Sequence, residues 1–229
     1  LVDSVKDLFY TTIKSISAAL DARDAYTHGH SLRVTLYSLI MAEAMGIGEE
    51  GQELIETMGL LHDIGKIGIP DSILNKPGRL TEEEFEVIKT HPEQGKIILK
   101  DIKKLNSIAQ WLACHHERWD GRGYPYHFKG EQIPFSARIV AIADTYDAMT
   151  SDRSYRKGLP HEVALGEIQK CSGSQFDPSC VAVFVKVQST ILAAKNDPDT
   201  YYEKYSKISK FFRSLRERSL QGTANSQPQ

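Results

Sequence analysis

Cysteine is scarce: the 229 residues hold Cys114, Cys171 and Cys180, scattered along the chain. That excludes a disulfide framework and a CxxC zinc site, fits a reducing compartment, and leads us to expect a cytoplasmic location. No stretch approaches the roughly 20 apolar residues that a membrane span needs, and the amino terminus lacks the basic region and apolar run of a signal peptide. Excess charge is missing as well. A formal net charge of -2 gives no basic stripe for displacing counterions, so a folded nucleic-acid partner is not expected. The local basic run from Lys204 to Arg218 steps by threes and winds around a helix rather than lining one face. Strand patterns are nearly absent. Val181 to Val187 places β-branched residues at period two, but the Asp177-Pro178 start favours a helix there.

What is present reads as one globular domain with terminal extensions: 41% of residues are hydrophobic and 25% charged, over a length near the upper end of ordinary single domains. The first residue is Leu1 rather than Met, so the sequence is expected to be a piece of a longer protein with a regulatory domain upstream. Apolar spacing of three and four dominates. Val5, Leu8, Phe9, Ile13, Ile16 and Leu20 form one stripe, and Leu32, Leu36, Leu39 and Ile40 another. Further helices are expected over Glu49 to Leu61, from Glu82 behind the Thr81/Glu84 capping box, after His91 where Pro92 can open a helix, and over Leu105 to His116. Phe135 to Met149 continues the pattern, and helices follow from Pro160, from Pro178, and from Pro198 to Leu220. IPDSILNKPGRL, from Ile69, is expected as an extended polar loop. Asp120 to Pro134, rich in glycine and proline, is a loop whose order the sequence leaves open.

Five of the eight histidines and two aspartates fall at helix ends: His30, His62, Asp63, His91, His115, His116 and Asp144. Imidazole nitrogens and carboxylate oxygens are what Mn, Fe, Co, Ni or Zn ions select, and a carboxylate can bridge two of them. Adjacent residues such as His62 and Asp63 point about 100° apart on a helix, so they converge on one ion only where a helix ends. Lys66, three residues after Asp63, falls on the same face and toward any anion at the metals. Asp144 and Asp147 present two carboxylates at i and i+3. A lone histidine on a helix is more often a hydrogen-bonded or surface residue than a ligand, and His28, His127 and His161 are read as solvent-exposed. The joint occurrence of HD, HH and ADTYDAMT carries the metal reading. Cys114 reads as a small buried hydrophobe, and Tyr201, Tyr202, Tyr205, Phe211 and Phe212 as packing or an oligomer contact.

HDIGKIGIPDSILNKPGRLTEEEFEVIKTHP from His62, HHERWDGRGYP from His115 and ADTYDAMTSDRSYR from Ala143 resemble the HD-GYP family of cyclic-dinucleotide phosphodiesterases. Together with DAYTHGHSLRV from Asp24, the resemblance covers about residues 20 to 185. It implies an all-α, HD-domain-like helical bundle with a long ordered GYP loop and extra terminal helices. The expected divisions are a linker helix over 1–20, the catalytic domain over 21–190 and a C-terminal helix with a frayed tail over 191–229. By that resemblance His30, His62, Asp63 and Asp144 would hold one ion and Asp63, His91, His115 and His116 a second, with Asp63 bridging. Iron or manganese is implied. Members with a third ion carry a glutamate four positions before the first histidine, where this chain has Tyr26, so two ions are expected. Lys66, Arg153 and Arg156 match residues that contact substrate, with Gly123, Tyr124, Pro125 and Asp147 also expected beside it.

The expected reaction is hydrolysis of cyclic di-GMP, or cyclic GMP-AMP, to a linear dinucleotide (pGpG) or GMP by a hydroxide between two ions, with Asp63 and Lys66 as catalytic residues. Rival readings are a silent cyclic-dinucleotide sensor or docking module, and a general HD nucleotide phosphohydrolase. A diguanylate cyclase or other signalling protein is an expected partner of the GYP loop. The terminal helices, starting near Asp3 and Pro198, are candidates for homodimerisation or for capping the core.

Overall fold

The helix His30–Ala44 is buried on nearly every side. In this computed structural model, residues 2–24, 29–152 and 157–210 are described. Among them the α-helices are α1 Val2–Arg23, α2 His30–Ala44, α3 Glu49–Leu61, α4 Asp71–Leu74, α5 Glu82–Ile88, α6 His91–Leu99, α7 Asn106–Leu112, α8 Phe135–Thr150, α9 His161–Lys170, α10 Pro178–Asn196 and α11 Pro198–Tyr205. Single 3-10 turns occupy Ile64–Gly68 and Gly130–Gln132, and no strand occurs among the described residues. The fold is all-α.

A helix hydrophobic all round must lie inside others. Accordingly α2 packs on α3, α8, α10 and α11, and Leu36, Tyr37, Leu39 and Met41 have no exposed surface. Each such side chain contributes on the order of 1.5–3 kcal/mol by leaving water. Tyr37, Tyr146 and Phe184 meet edge to face across α2, α8 and α10, with centroids 5.4 and 5.2 Å apart. The Thr81 cap is complete: its hydroxyl accepts from the Glu84 amide while the Glu84 carboxylate accepts from the Thr81 amide, so α5 begins where the sequence places it.

The structure departs from the sequence expectations in four places. The polar loop from Ile69 contains α4, anchored by Arg23, whose guanidinium donates to the carbonyls of Lys66 and Ile69 and to Asp71. Helix α7 stops at Leu112, so His115 and His116 lie in the turn beyond it rather than on a helix. The terminal helix breaks at Ser206, where the backbone is extended; residues from 211 to 220 of that expectation, with Phe211 and Phe212, lie outside the described residues. His161 is not simply exposed: its Nδ1 is 2.8 Å from the Tyr146 hydroxyl and its Nε2 is 2.7 Å from Gln188. Helices α1 and α11 pack on the core, α1 through Tyr10, Ile13 and Leu20 and α11 through Tyr202 and Tyr205. No described helix is long and apolar enough to cross a membrane.

Candidate metal centre and adjoining cleft

Four helix ends and the face of a fifth helix deliver the chemistry to one buried spot. His30 opens α2, His62 caps α3, Asp63 begins the following 3-10 turn, and His91 opens α6. His115 and His116 come from the turn after α7, and Asp144 from the middle of α8. These residues form two groups, His30, His62 and Asp144 on one side and His91, His115 and His116 on the other, with candidate ligand atoms within 4.8 Å of one another in each. Asp63 stands between them. Its Oδ2 faces His62 Nε2 at 3.4 Å and His30 Nε2 at 3.8 Å, while its Oδ1 faces His91 Nε2 at 3.3 Å.

The backbone fixes which nitrogen of each ring faces inward. His62 Nδ1 lies 2.8 Å from the Gly59 carbonyl, His91 Nδ1 2.8 Å from that of Ile88, and His115 Nδ1 2.6 Å from that of Leu112. A carbonyl can only accept, so each Nδ1 carries the proton and each Nε2 offers a lone pair. Those lone pairs lack donors. His91 and His115 aim Nε2 at each other across 3.2 Å, and His62 Nε2 is buried with no hydrogen-bond partner, facing a carboxylate oxygen. Buried acceptors that confront acceptors are costly unless a cation lies between them. The residues present therefore fit metal ions, in two sets of nitrogen and oxygen donors that share one carboxylate.

Electrostatics separates the two sets. Burial pushes His91 down to about 3 and lowers His115 and His116 as well, so that trio is neutral imidazole. For His30, burial works in the same direction, but hydrogen bonds to Asp144 and Asp147 outweigh it and raise the group to about 10. Burial alone would also raise Asp63; Lys66, His62 and His91 hold it well below the carboxylate range. The Lys66 ammonium sits 2.7 Å from Asp63 Oδ2 and 3.3 Å from Asp24 Oδ2. It is thus placed against the shared carboxylate.

A cavity of about 360 Å³ opens beside His115, His116 and Asp144, and Gly123 and Tyr124 form part of its wall. Gly123 permits close approach: a Cβ there would lie 2.4 Å from the Arg118 amide nitrogen and 2.6 Å from the His116 carbonyl. Tyr124 stacks on His116, centroids 4.9 Å apart at 29°. Pro125, expected there too, does not line the cavity. Asp147 requires a correction. It is 1% exposed, with Oδ1 on Arg33 Nε at 2.7 Å and Oδ2 on His30 Nδ1 at 2.8 Å, so it faces the back of a histidine instead of the cleft. Arg153, Arg156 and Tyr26 lie outside the described residues. Sequence reasoning missed Phe85, Lys89, Arg118 and Gln175, which also line the cavity and come from α5, the GYP loop and the turn before α10. Phe85 had a signal: an aromatic in an otherwise acidic first turn and a half, left 47% exposed.

An HD domain family model matches residues 14–180. Among curated proteins, a cyclic di-GMP phosphodiesterase of Thermotoga maritima is 43% identical over 188 residues, 81% of this chain and 51% of its own length. Another from Vibrio cholerae is 39% identical over 206 residues, 83% of this chain and 42% of its own. The chain thus spans about half the length of the curated relatives it matches. Among solved structures, a cyclic GMP-AMP-specific phosphodiesterase of V. cholerae superposes with a TM-score of 0.60 at 20% identity, covering 90% of this chain and 53% of that one.

Proposed function

This chain belongs to the HD domain family, in its HD-GYP branch, and from that premise we propose that it hydrolyses a cyclic dinucleotide with the help of two divalent ions. Cyclic di-GMP is the leading substrate and cyclic GMP-AMP the second; the product is linear pGpG, or GMP after a second round. The observation that supports this best is the pair of donor sets sharing Asp63. His30, His62, Asp63 and Asp144 would hold one ion, and Asp63, His91, His115 and His116 the other. Iron and manganese both accept this mixture of imidazole and carboxylate. Two ions held side by side acidify water and neutralise charge on phosphoryl oxygens.

The protein's own groups supply the rest. Water attacks phosphorus, the bond to the ribose 3′ oxygen breaks, and that oxygen leaves with a proton. Lys66, kept charged by Asp63 and Asp24 against the opposing effect of burial, is a fixed positive charge where negative charge develops. Arg153 and Arg156 are proposed phosphate contacts. The cavity falls within the about 300–1,000 Å³ common for small-molecule sites. Its Phe85 and Tyr124 rings offer faces for bases, and Lys89 and Arg122 offer cations for a phosphate away from the metals.

Partners follow the same surfaces. The Arg122 side chain, 80% exposed, supports docking of a diguanylate cyclase or another signalling protein on the GYP loop. Val5 and Leu8 are exposed on α1, which supports pairing of two copies there, whereas the α11 tyrosines are spent on the core.

The test is product chromatography with both cyclic dinucleotides, using protein whose metal content has been measured. Linear product, lost together with metal in Asp63→Ala, is expected. Intact substrates at full metal occupancy would overturn the proposal, and a partner retained by Asp63→Ala without any turnover would favour a docking module.

A further inference from the structure

Three of the inward-facing histidines are held by the carbonyl three residues earlier, His62 by Gly59, His91 by Ile88 and His115 by Leu112. In each case the chain that precedes the histidine is helical and supplies the acceptor. His30 differs. It is the first residue of α2, and Gly29 before it is left-handed, with φ at 68°. Its Nδ1 reaches across to Asp147 Oδ2 on α8, 2.8 Å away, while its Nε2 lies 3.4 Å from Asp144 on the same helix.

Asp147 in turn is gripped by Arg33. Nε donates to Oδ1 at 2.7 Å and Nη2 to Oδ2 at 2.9 Å, a two-pronged contact that a lysine cannot copy. His30 and Arg33 are i and i+3 on α2, and Asp144 and Asp147 are i and i+3 on α8. Two rungs therefore join two helices, one ending at the donor set and one behind it. Arg33 Nη2 also lies 3.3 Å from the Ser151 hydroxyl at the end of α8. A carboxylate this buried is stable only when its oxygens are satisfied, and Arg33 and His30 satisfy both.

We propose that Asp147 and Arg33 are positioning residues for one half of the metal centre: they aim His30 Nε2 into the His30, His62 and Asp144 set and leave the other set alone. This rests on the metal reading above. The orientation and basicity of a ligating imidazole depend on the partner of its other nitrogen, and loss of such a partner typically lowers metal affinity about 10–100-fold.

Stepwise manganese(II) binding, followed by calorimetry and by metal-to-protein ratio after gel filtration, tests it on the whole chain. In Asp147→Asn we expect one of the two binding steps to weaken by about 10–100-fold and the other to stay within about twofold. Arg33→Lys, which keeps the charge and loses the fork, should weaken the same step. The Asp147→Asn effect should persist in a His91→Ala background and vanish in His62→Ala, because non-additivity marks residues that share one set. Thermal melting of the metal-free variants controls for folding; should Asp147→Asn fail to fold, Arg33→Lys carries the comparison. Weakening of both steps alike, or of neither, overturns the inference. Wild-type protein that binds no manganese would overturn the metal reading itself, a distinguishable result.

Discussion

His91 Nε2 and His115 Nε2 lie 3.2 Å apart, and neither has a proton to give the other, because each ring commits its Nδ1 proton to a backbone carbonyl. Two acceptors held face to face make the metal-free protein less stable than the loaded one. Chelation should therefore lower the melting temperature, and added manganese should restore it. At free metal 100-fold above Kd the gain is about 2.7 kcal/mol. A melting temperature indifferent to chelator, in protein shown to lose metal, would contradict this reading.

Gly65 and Gly123 sit where the chain has no room for a methyl group. A Cβ at Gly65 would come within 1.8 Å of the His91 carbonyl oxygen, and one at Gly123 within 2.4 Å of the Arg118 amide nitrogen. Both close contacts are to backbone, so relief requires the turn after Asp63 or the GYP loop to move. Either glycine replaced by alanine should cost about 1–3 kcal/mol in denaturant unfolding, and hydrolysis should fall more than stability, because His91 and His116 shift with the backbone.

Arg122 is the cavity cation least tied to the fold. Its side chain is 80% exposed and its ion pair with Asp120 is 3.3 Å long. Arg122→Ala should raise KM several-fold with kcat nearly unchanged, the pattern of lost uniform binding. A fall in kcat at constant KM would place Arg122 in the chemical step instead.

Asp120 ties the start of the GYP loop. The hydrogen bonds from Arg118, then the Arg122 amide, hold its carboxyl down at about 2, below the ordinary 3.8. A folded-state pKa below the unfolded one stabilises above the unfolded value, and the contribution is lost as pH falls through about 4 toward 2. Fluorescence of Trp119 in metal-free protein should report loop loosening over that interval, and Asp120→Asn should abolish the transition.

Glu56 is the buried anchor of the carboxyl-terminal segment. It has no exposed surface, and its carboxylate accepts from the Tyr202 and Ser206 hydroxyls and from the amides of Lys207 and Ile208. Glutamine would turn an amide donor toward other donors. Glu56→Gln should destabilise by about 1–3 kcal/mol and speed proteolysis after Tyr205, with metal stoichiometry unchanged. Cleavage no faster than in wild type would show that other contacts hold the segment.

Helix positions were legible wherever a local signal existed. Thr81 with Glu84, Pro92, Asp177 with Pro178, and Glu49 to Leu61 all marked elements that are present, because caps and apolar periodicity act over a few residues. The break at Ser206 was not legible: the apolar spacing continues through it, and what stops the helix is Glu56, 150 residues away in sequence, taking hydrogen bonds from Ser206 and the two amides that follow. Helix α4 escaped for a similar reason, since Arg23 caps its approach from a different helix.

By itself the sequence determined which donors are available and that the adjacent His-Asp and His-His pairs sit at helix ends, since such pairs cannot converge from the middle of a helix; Asp144, expected at an end as well, comes from the middle of α8. The place of Asp63 between two sets was already implied by the resemblance, but only the tertiary structure decided that Asp147 serves His30 rather than the cleft. Helical spacing places Asp144 and Asp147 on one face of α8 alike. Which of the two meets the centre depends on how α2 crosses α8, and that crossing is set by packing among side chains remote in sequence.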